Sequence, residues 1–139
     1  MSSVKIEEGD RRMIGTHGEQ TYPHECCGIL LGKMYDEIKV VEAVKPLDNA
    51  RTDSKENRFL ITPHEVRQGE REAHRSGLEI IGFYHSHPDE VASPSGYDLE
   101  NAWPWLSYVI VSVIHGQAAE FRSWTLRDDR SRFDPEEIL

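Results

Sequence analysis

Apolar residues in this chain come in short blocks separated by Gly, Pro and polar clusters, the pattern of a sheet with a few helices laid against it. Cys26-Cys27-Gly28-Ile29-Leu30-Leu31, between Pro23 and Gly32, has the length of a buried strand. Residues 35–44 alternate, and a connection over 32–36 makes the two segments an antiparallel hairpin. Residues 78–84 predict a third strand, 106–114 a β-branched central one, and 120–126 an alternating final one with Phe121 and Trp124 packed on the sheet. Phe59-Leu60-Ile61 predicts one more short strand.

Helix signals stand between these blocks. Thr62-Pro63-His64-Glu65 joins an N-cap, a proline at the first helical position and an acidic first turn, and predicts a helix to about Ser76 that stops at Gly77. Ser95 reads as the N-cap of a second, brief helix that runs toward Trp105 and ends near Pro104. Residues 6–18 contain Gly9, Gly15 and Gly18 but also Arg11-Arg12-Met13-Ile14, compatible with an initial strand and a short helix. Residues 46–58 have loop composition. The tail from Arg127 is charged, and its last residues, 133–139, either dock or stay loose.

The 139 residues make one domain, 1–139, with a core over about 4–126 and a tail over 127–139. A net charge of -9 with no stripe of Lys and Arg argues against a nucleic-acid partner and tolerates basic partners better. No apolar run has signal-peptide or membrane-spanning length, so the expected location is cytoplasmic. Cys26 and Cys27 are adjacent and cannot form a long-range disulfide; they read as small buried hydrophobes in a reducing compartment.

The chemistry concentrates after the third strand, in Tyr84-His85-Ser86-His87-Pro88 and Ser93-Pro94-Ser95-Gly96-Tyr97-Asp98. Residues two apart in extended backbone share a face, so His85 and His87 can aim at one point. Asp98, in the first turn of the helix capped by Ser95, can supply a third ligand. Ser95 and Asp98 also resemble a capping box, which would need no metal. Two imidazoles and a carboxylate with an open position suit catalytic zinc. Glu25, at the mouth of the first apolar strand, reads locally as a solvated edge residue or as a placed general base. His24, His64 and His74 read as surface imidazoles, and His115 has no assigned role.

Glu25 with Cys27-Gly28-Ile29-Leu30-Leu31-Gly32, His85-Ser86-His87-Pro88 and Pro94-Ser95-Gly96-Tyr97-Asp98 resemble the signature of the JAMM/MPN+ zinc metalloproteases over about residues 20–126. Asn57-Arg58-Phe59, Ala102-Trp103, residues 108–113 and Ser123-Trp124 resemble the small prokaryotic CysO-cysteine peptidase-like members. The resemblance implies an α/β, three-layer mixed-sheet fold like that of cytidine deaminases. It makes His85, His87 and Asp98 the ligands of one zinc ion, Glu25 the general base and Ser95 the oxyanion donor. It also implies hydrolysis after the C-terminal glycine of a ubiquitin-like, ThiS/MoaD-like sulfur-carrier protein, with no nucleic-acid or membrane partner. The carrier's tail would thread past the zinc in extended form by pairing with a sheet edge. The competing expectations are a general deubiquitinase-like isopeptidase, a non-catalytic MPN scaffold, and a cysteine hydrolase built on Cys26 or Cys27 with His85.

Overall fold

The computed structural model describes residues 2–139. In chain order its elements are β1 (Ser3–Lys5), α1 (Glu8–Thr21), β2 (Cys27–Tyr35), β3 (Ile38–Leu47), α2 (Pro63–Arg75), β4 (Glu79–Pro88), α3 (Gly96–Asn101), β5 (Ser107–Ile114), β6 (Gln117–Leu126) and β7 (Phe133–Ile138). The strands follow the order β1-β3-β2-β4-β5-β6-β7, and β7 returns to pair with β1, closing the sheet. Pairing is mixed: β2 is antiparallel to β3 and β4, whereas β4 is parallel to β5.

Helices cover both faces, because successive strand residues send side chains to opposite sides. Leu30, Ile81, Tyr84, Val109 and Val111 form one core with Ile14 of α1. Ile29, Leu31, Ile80 and Phe83 form another with Ala73 of α2. Gly28 is required on the α1 face: a Cβ there would lie 2.1 Å from the Tyr84 ring, whose hydroxyl reaches His17 Nδ1 at 2.7 Å.

Four expectations change. The N-terminal helix is longer than foreseen, fourteen residues, because Gly15 and Gly18 lie against β5 and β6, where larger residues would crowd Val113 and Ala118. The third helix stops at Asn101, before Trp105. Phe59-Leu60-Ile61 forms no strand; Leu60 is held instead by the Asn49 side chain, whose Oδ1 accepts its N–H at 3.1 Å. The tail is not outside the core but supplies β7, where Glu136 is buried against Lys39 at 2.9 Å and accepts from the hydroxyls of Ser2, Ser107 and Ser123. β4 is paired on both sides, by β2 and β5, as far as His85, and His87 and Pro88 beyond it pair with β5.

Candidate metal and catalytic site

β4 carries His85 and His87 at its C-terminal end, held on one side by β2 and on the other by β5, with Cys27 opposite His85 and Ser112 opposite His87. Ser86 between them turns to the α1 face, where its hydroxyl accepts the Cys26 N–H at 2.7 Å. The alternation that buries Ser86 on one face therefore projects both imidazoles from the other.

The third donor comes from α3. Ser95 caps the helix: its Oγ accepts the Asp98 N–H at 3.1 Å, and its own N–H donates to Asp98 Oδ2 at 2.9 Å. The capping box thus exists, and it aims the same carboxylate at the histidines. His85 Nε2 and His87 Nε2 lie 3.1 Å apart, and each is 3.2 Å from Asp98 Oδ2. Three ligands of a tetrahedral zinc site are separated by about 3.3 Å when the bonds are about 2.05 Å. His87 Nδ1 faces the Val91 carbonyl at 2.9 Å, so that nitrogen carries the proton and Nε2 presents its lone pair to the other donors. These three buried residues fit a metal ion.

The electrostatics follow from crowding. Burial pulls the Asp98 carboxyl up, but His85, the hydrogen bonds from both imidazoles and the Ser95 N–H outweigh it and hold the group far below the usual carboxylate range. Burial pulls His87 down, yet Asp98 and the Val91 carbonyl leave it net raised. Glu25 is buried at 3 % exposure, and its Oε1 has no hydrogen-bond partner. Burial, with the Asp98 charge adding to it, pushes the Glu25 carboxyl up to about 9. An unpartnered buried carboxyl is costly unless a cation or a substrate answers it.

Glu25 is placed by backbone contacts: its N–H donates to the Lys55 carbonyl at 2.6 Å, and its carbonyl accepts from Asn49 at 3.2 Å. It lines a cavity of about 360 Å³ with His87 and Ser95. On the other side of the donors, Phe59, Ile61, Val66, Phe83, Tyr97 and Trp103 wall an apolar cleft of about 160 Å³ that His85 and Asp98 also line. Of the five residues singled out from the sequence, His85 and Asp98 line the apolar cleft, and Glu25, His87 and Ser95 line the other cavity.

Several contributors were not foreseen as supports of the site. Phe59 stacks on the His85 ring with centroids 4.5 Å apart. The Trp124 indole donates to the Ala92 carbonyl at 2.9 Å, bracing the loop whose Val91 carbonyl orients His87. Asp89 accepts from the Tyr22 hydroxyl at 2.6 Å and from the His115 N–H at 2.8 Å, fixing the start of that loop. His24, His64, His74 and His115 are exposed and outside the donor cluster. Cys26 and Cys27 are buried, and burial raises both thiols, Cys26 to about 11, which leaves no ready thiolate for a cysteine hydrolase.

Comparison with known proteins gives a consistent picture. The family described as prokaryotic homologs of the JAB domain matches residues 8–127. A desampylase of Haloferax volcanii is 33% identical over 65% of this chain and 63% of its own length, and one of Pyrococcus furiosus is 31% identical over 75% of this chain and 68% of its own. The Lys-63-specific deubiquitinase BRCC36 of Xenopus tropicalis is 30% identical over 66% of this chain but only 38% of itself. The match thus spans less than two thirds of the Haloferax and Xenopus relatives. Among solved structures, a Desulfitobacterium hafniense protein superposes with a TM-score of 0.84 at 30% identity, covering 98% of this chain and 91% of that one. A JAB1/MPN domain protein of Archaeoglobus fulgidus, at 15% identity, shares the fold with a TM-score of 0.57 over 99% of this chain and 97% of its own.

Proposed function

Because the chain belongs to the family of prokaryotic homologs of the JAB domain, we propose that it is a zinc-dependent hydrolase that cleaves the amide or isopeptide bond after the C-terminal glycine of a ubiquitin-like protein. The observation that carries this reading is the convergence of His85 Nε2, His87 Nε2 and Asp98 Oδ2 to within 3.2 Å, with the unpartnered carboxyl of Glu25 in the cavity that His87 also lines. Zinc held by those donors supplies Lewis acidity, which makes water nucleophilic near neutral pH and polarises an amide carbonyl.

The chain's own groups divide the remaining work. Glu25 accepts a proton from the attacking water and returns it to the leaving amine nitrogen. Ser95 keeps its hydroxyl hydrogen free, since its Oγ serves as acceptor in the cap, and offers it as a hydrogen bond to the oxygen on which negative charge develops. Phe59 and the Val91 carbonyl hold the two imidazoles in orientation.

The substrate we propose is a small sulfur-carrier protein of the ThiS/MoaD type, released from cysteine, a peptide or a protein lysine. The relatives named desampylase and deubiquitinase favour a second reading, a broader isopeptidase that strips ubiquitin-like modifiers from proteins. Mass spectrometry separates the two: a carrier extended by one cysteine, a carrier linked to lysine, and a ubiquitin dimer are each incubated with the zinc-loaded protein. Chelation should abolish cleavage and zinc restore it, while thiol alkylation should change nothing. Glu25→Ala should retain zinc and lose turnover, whereas His87→Ala should lose both; full activity of Glu25→Ala would refute the assigned base.

A further inference from the structure

The donors stand between two cavities of different character. His85 and Asp98 line the apolar cleft walled by Phe59, Val66 and Trp103, whereas His87 lines the second cavity with Glu25 and Ser95. Glu25, whose buried Oε1 has no partner, lines only the second. A base that hands its proton to a leaving nitrogen must come within hydrogen-bond distance of it. The second cavity therefore takes the departing group and leaves the cleft to the acyl side.

The walls of the second cavity carry one sign of charge. Besides Glu25, its carboxylates are Glu56, from the loop between β3 and α2, and Glu90, from the loop that follows His87, and both are exposed. Among the described residues no Lys or Arg lines it. Lys55 and Arg58 flank Glu56 and Asn57 in the chain, but neither lines the cavity, and the Arg58 guanidinium lies 5.2 Å over the Tyr97 ring, on the cleft side. The charge of a divalent ion is matched by Asp98 and the Glu25 carboxylate, so Glu56 and Glu90 are the surplus.

Much of the remaining lining is aliphatic. Pro88, Pro94 and Val91, a valine left 66 % exposed, offer a surface against which a methylene chain can lie. A departing free amino acid brings a carboxylate whose carbon is about 2.5 Å from the leaving nitrogen, and so sets it among like charges. A lysine joined through its ε-nitrogen brings an aliphatic stem instead, and its backbone carbonyl, held in a protein, is uncharged. As the bond breaks, the nitrogen gains a proton and positive charge, which the two glutamates favour.

Resting on the hydrolase reading above, we propose that Glu56 and Glu90 are specificity residues for the departing group: they reject an amine with a free carboxylate beside it and accept the ε-amine of a protein lysine. Neither is a catalytic residue. Their charge ranks the leaving groups, and it places lysine-linked conjugates ahead of a carrier extended by one free amino acid.

The test uses the zinc-loaded protein and conjugates of one Gly-Gly-terminated ubiquitin-like carrier to alanine, to alaninamide and, through the ε-nitrogen, to Nα-acetyl-lysinamide. Alanine and alaninamide differ only in the carboxylate, and neither holds a thiol that could bind zinc. Wild-type kcat/KM at low salt should be about tenfold higher for alaninamide than for alanine, with the lysine conjugate at least equal to alaninamide, and the gap should shrink as salt is added. Glu56→Gln/Glu90→Gln should bring the ratio of alaninamide to alanine down to about twofold, whereas Glu42→Gln, an exposed acid on β3 outside the cavity, should leave it at about tenfold. A wild-type ratio near one, a ratio that the double variant does not change, or a lysine conjugate slower than alanine would overturn the assignment. Should none of the three be cleaved, the hydrolase reading fails, and the selection is read by NMR titration of the zinc-loaded protein with Gly-Gly-Ala and its amide. Tighter binding of the amide that the double variant abolishes upholds it; equal binding, or tighter binding of the acid, rejects it.

Discussion

Ser95 and Asp98 exchange hydrogen bonds across the first turn of α3, and the carboxylate oxygen that accepts the Ser95 N–H at 2.9 Å is the same Oδ2 that stands 3.2 Å from both imidazoles. A helix cap and a ligand are one device here. The cap fixes the carboxylate before any ion arrives, which lowers the ordering cost of binding.

Ser95→Ala therefore has two effects of different size. Loss of the cap should lower stability by about 1 kcal/mol. Loss of the hydroxyl that meets developing charge should lower kcat by about a hundredfold with KM little changed. Thermal unfolding and steady-state kinetics measure them separately, and zinc content should remain stoichiometric. A variant with wild-type kcat would remove Ser95 from the chemistry and leave it a cap only.

Metal binding should release protons. Without an ion, burial and the Asp98 charge hold Glu25 up to about 9, so it retains its proton at pH 7, while burial pulls His87 down but Asp98 and the Val91 carbonyl leave it net raised. A divalent cation at the three donors favours the deprotonated forms. Zinc affinity should accordingly rise with pH from about 6 to about 9. Calorimetry at pH 7 in buffers of different ionisation enthalpy counts the protons; a heat independent of buffer would contradict this electrostatic picture.

The closure of the sheet makes a further prediction. Glu136 is drawn up by burial, but the hydroxyls of Ser107 and Ser2 and the ammonium of Lys39 outweigh it and leave the carboxyl net lowered. Its stabilising contribution is present above the unfolded carboxyl value of about 4.3 and is lost as pH falls through the folded value. Lys39→Met removes the partner and leaves a buried charge, which should cost about 3 kcal/mol at pH 7. The gap to wild type should narrow near pH 4, where protonation relieves that charge. Urea unfolding at the two pH values measures this, and a pH-independent gap would mean that lost packing, not charge, explains the cost.

The donor set was legible because it is local: an alternating His pair on a strand end and an Asp within one capping box lie within fourteen residues, 85–98. Glu25 was not legible by itself. Its burial depends on Asn49 and Lys55, which fold over it from a loop with no periodicity, and only the family resemblance singled it out. β7 was hidden because its inward residue is Glu136, a charge that sequence patterning assigns to solvent, while its ion partner Lys39 lies ninety-seven positions away. The length of α1 was masked by glycines whose smallness serves contact with β5 and β6.

The central claim is that His85, His87 and Asp98 hold one metal ion beside Glu25. Crystals grown with zinc and measured on both sides of the zinc absorption edge test it most directly. A single strong anomalous peak within about 2.0–2.2 Å of His85 Nε2, His87 Nε2 and an Asp98 carboxylate oxygen is the predicted result. A peak bound elsewhere, or none at these three donors at full zinc loading, would contradict it.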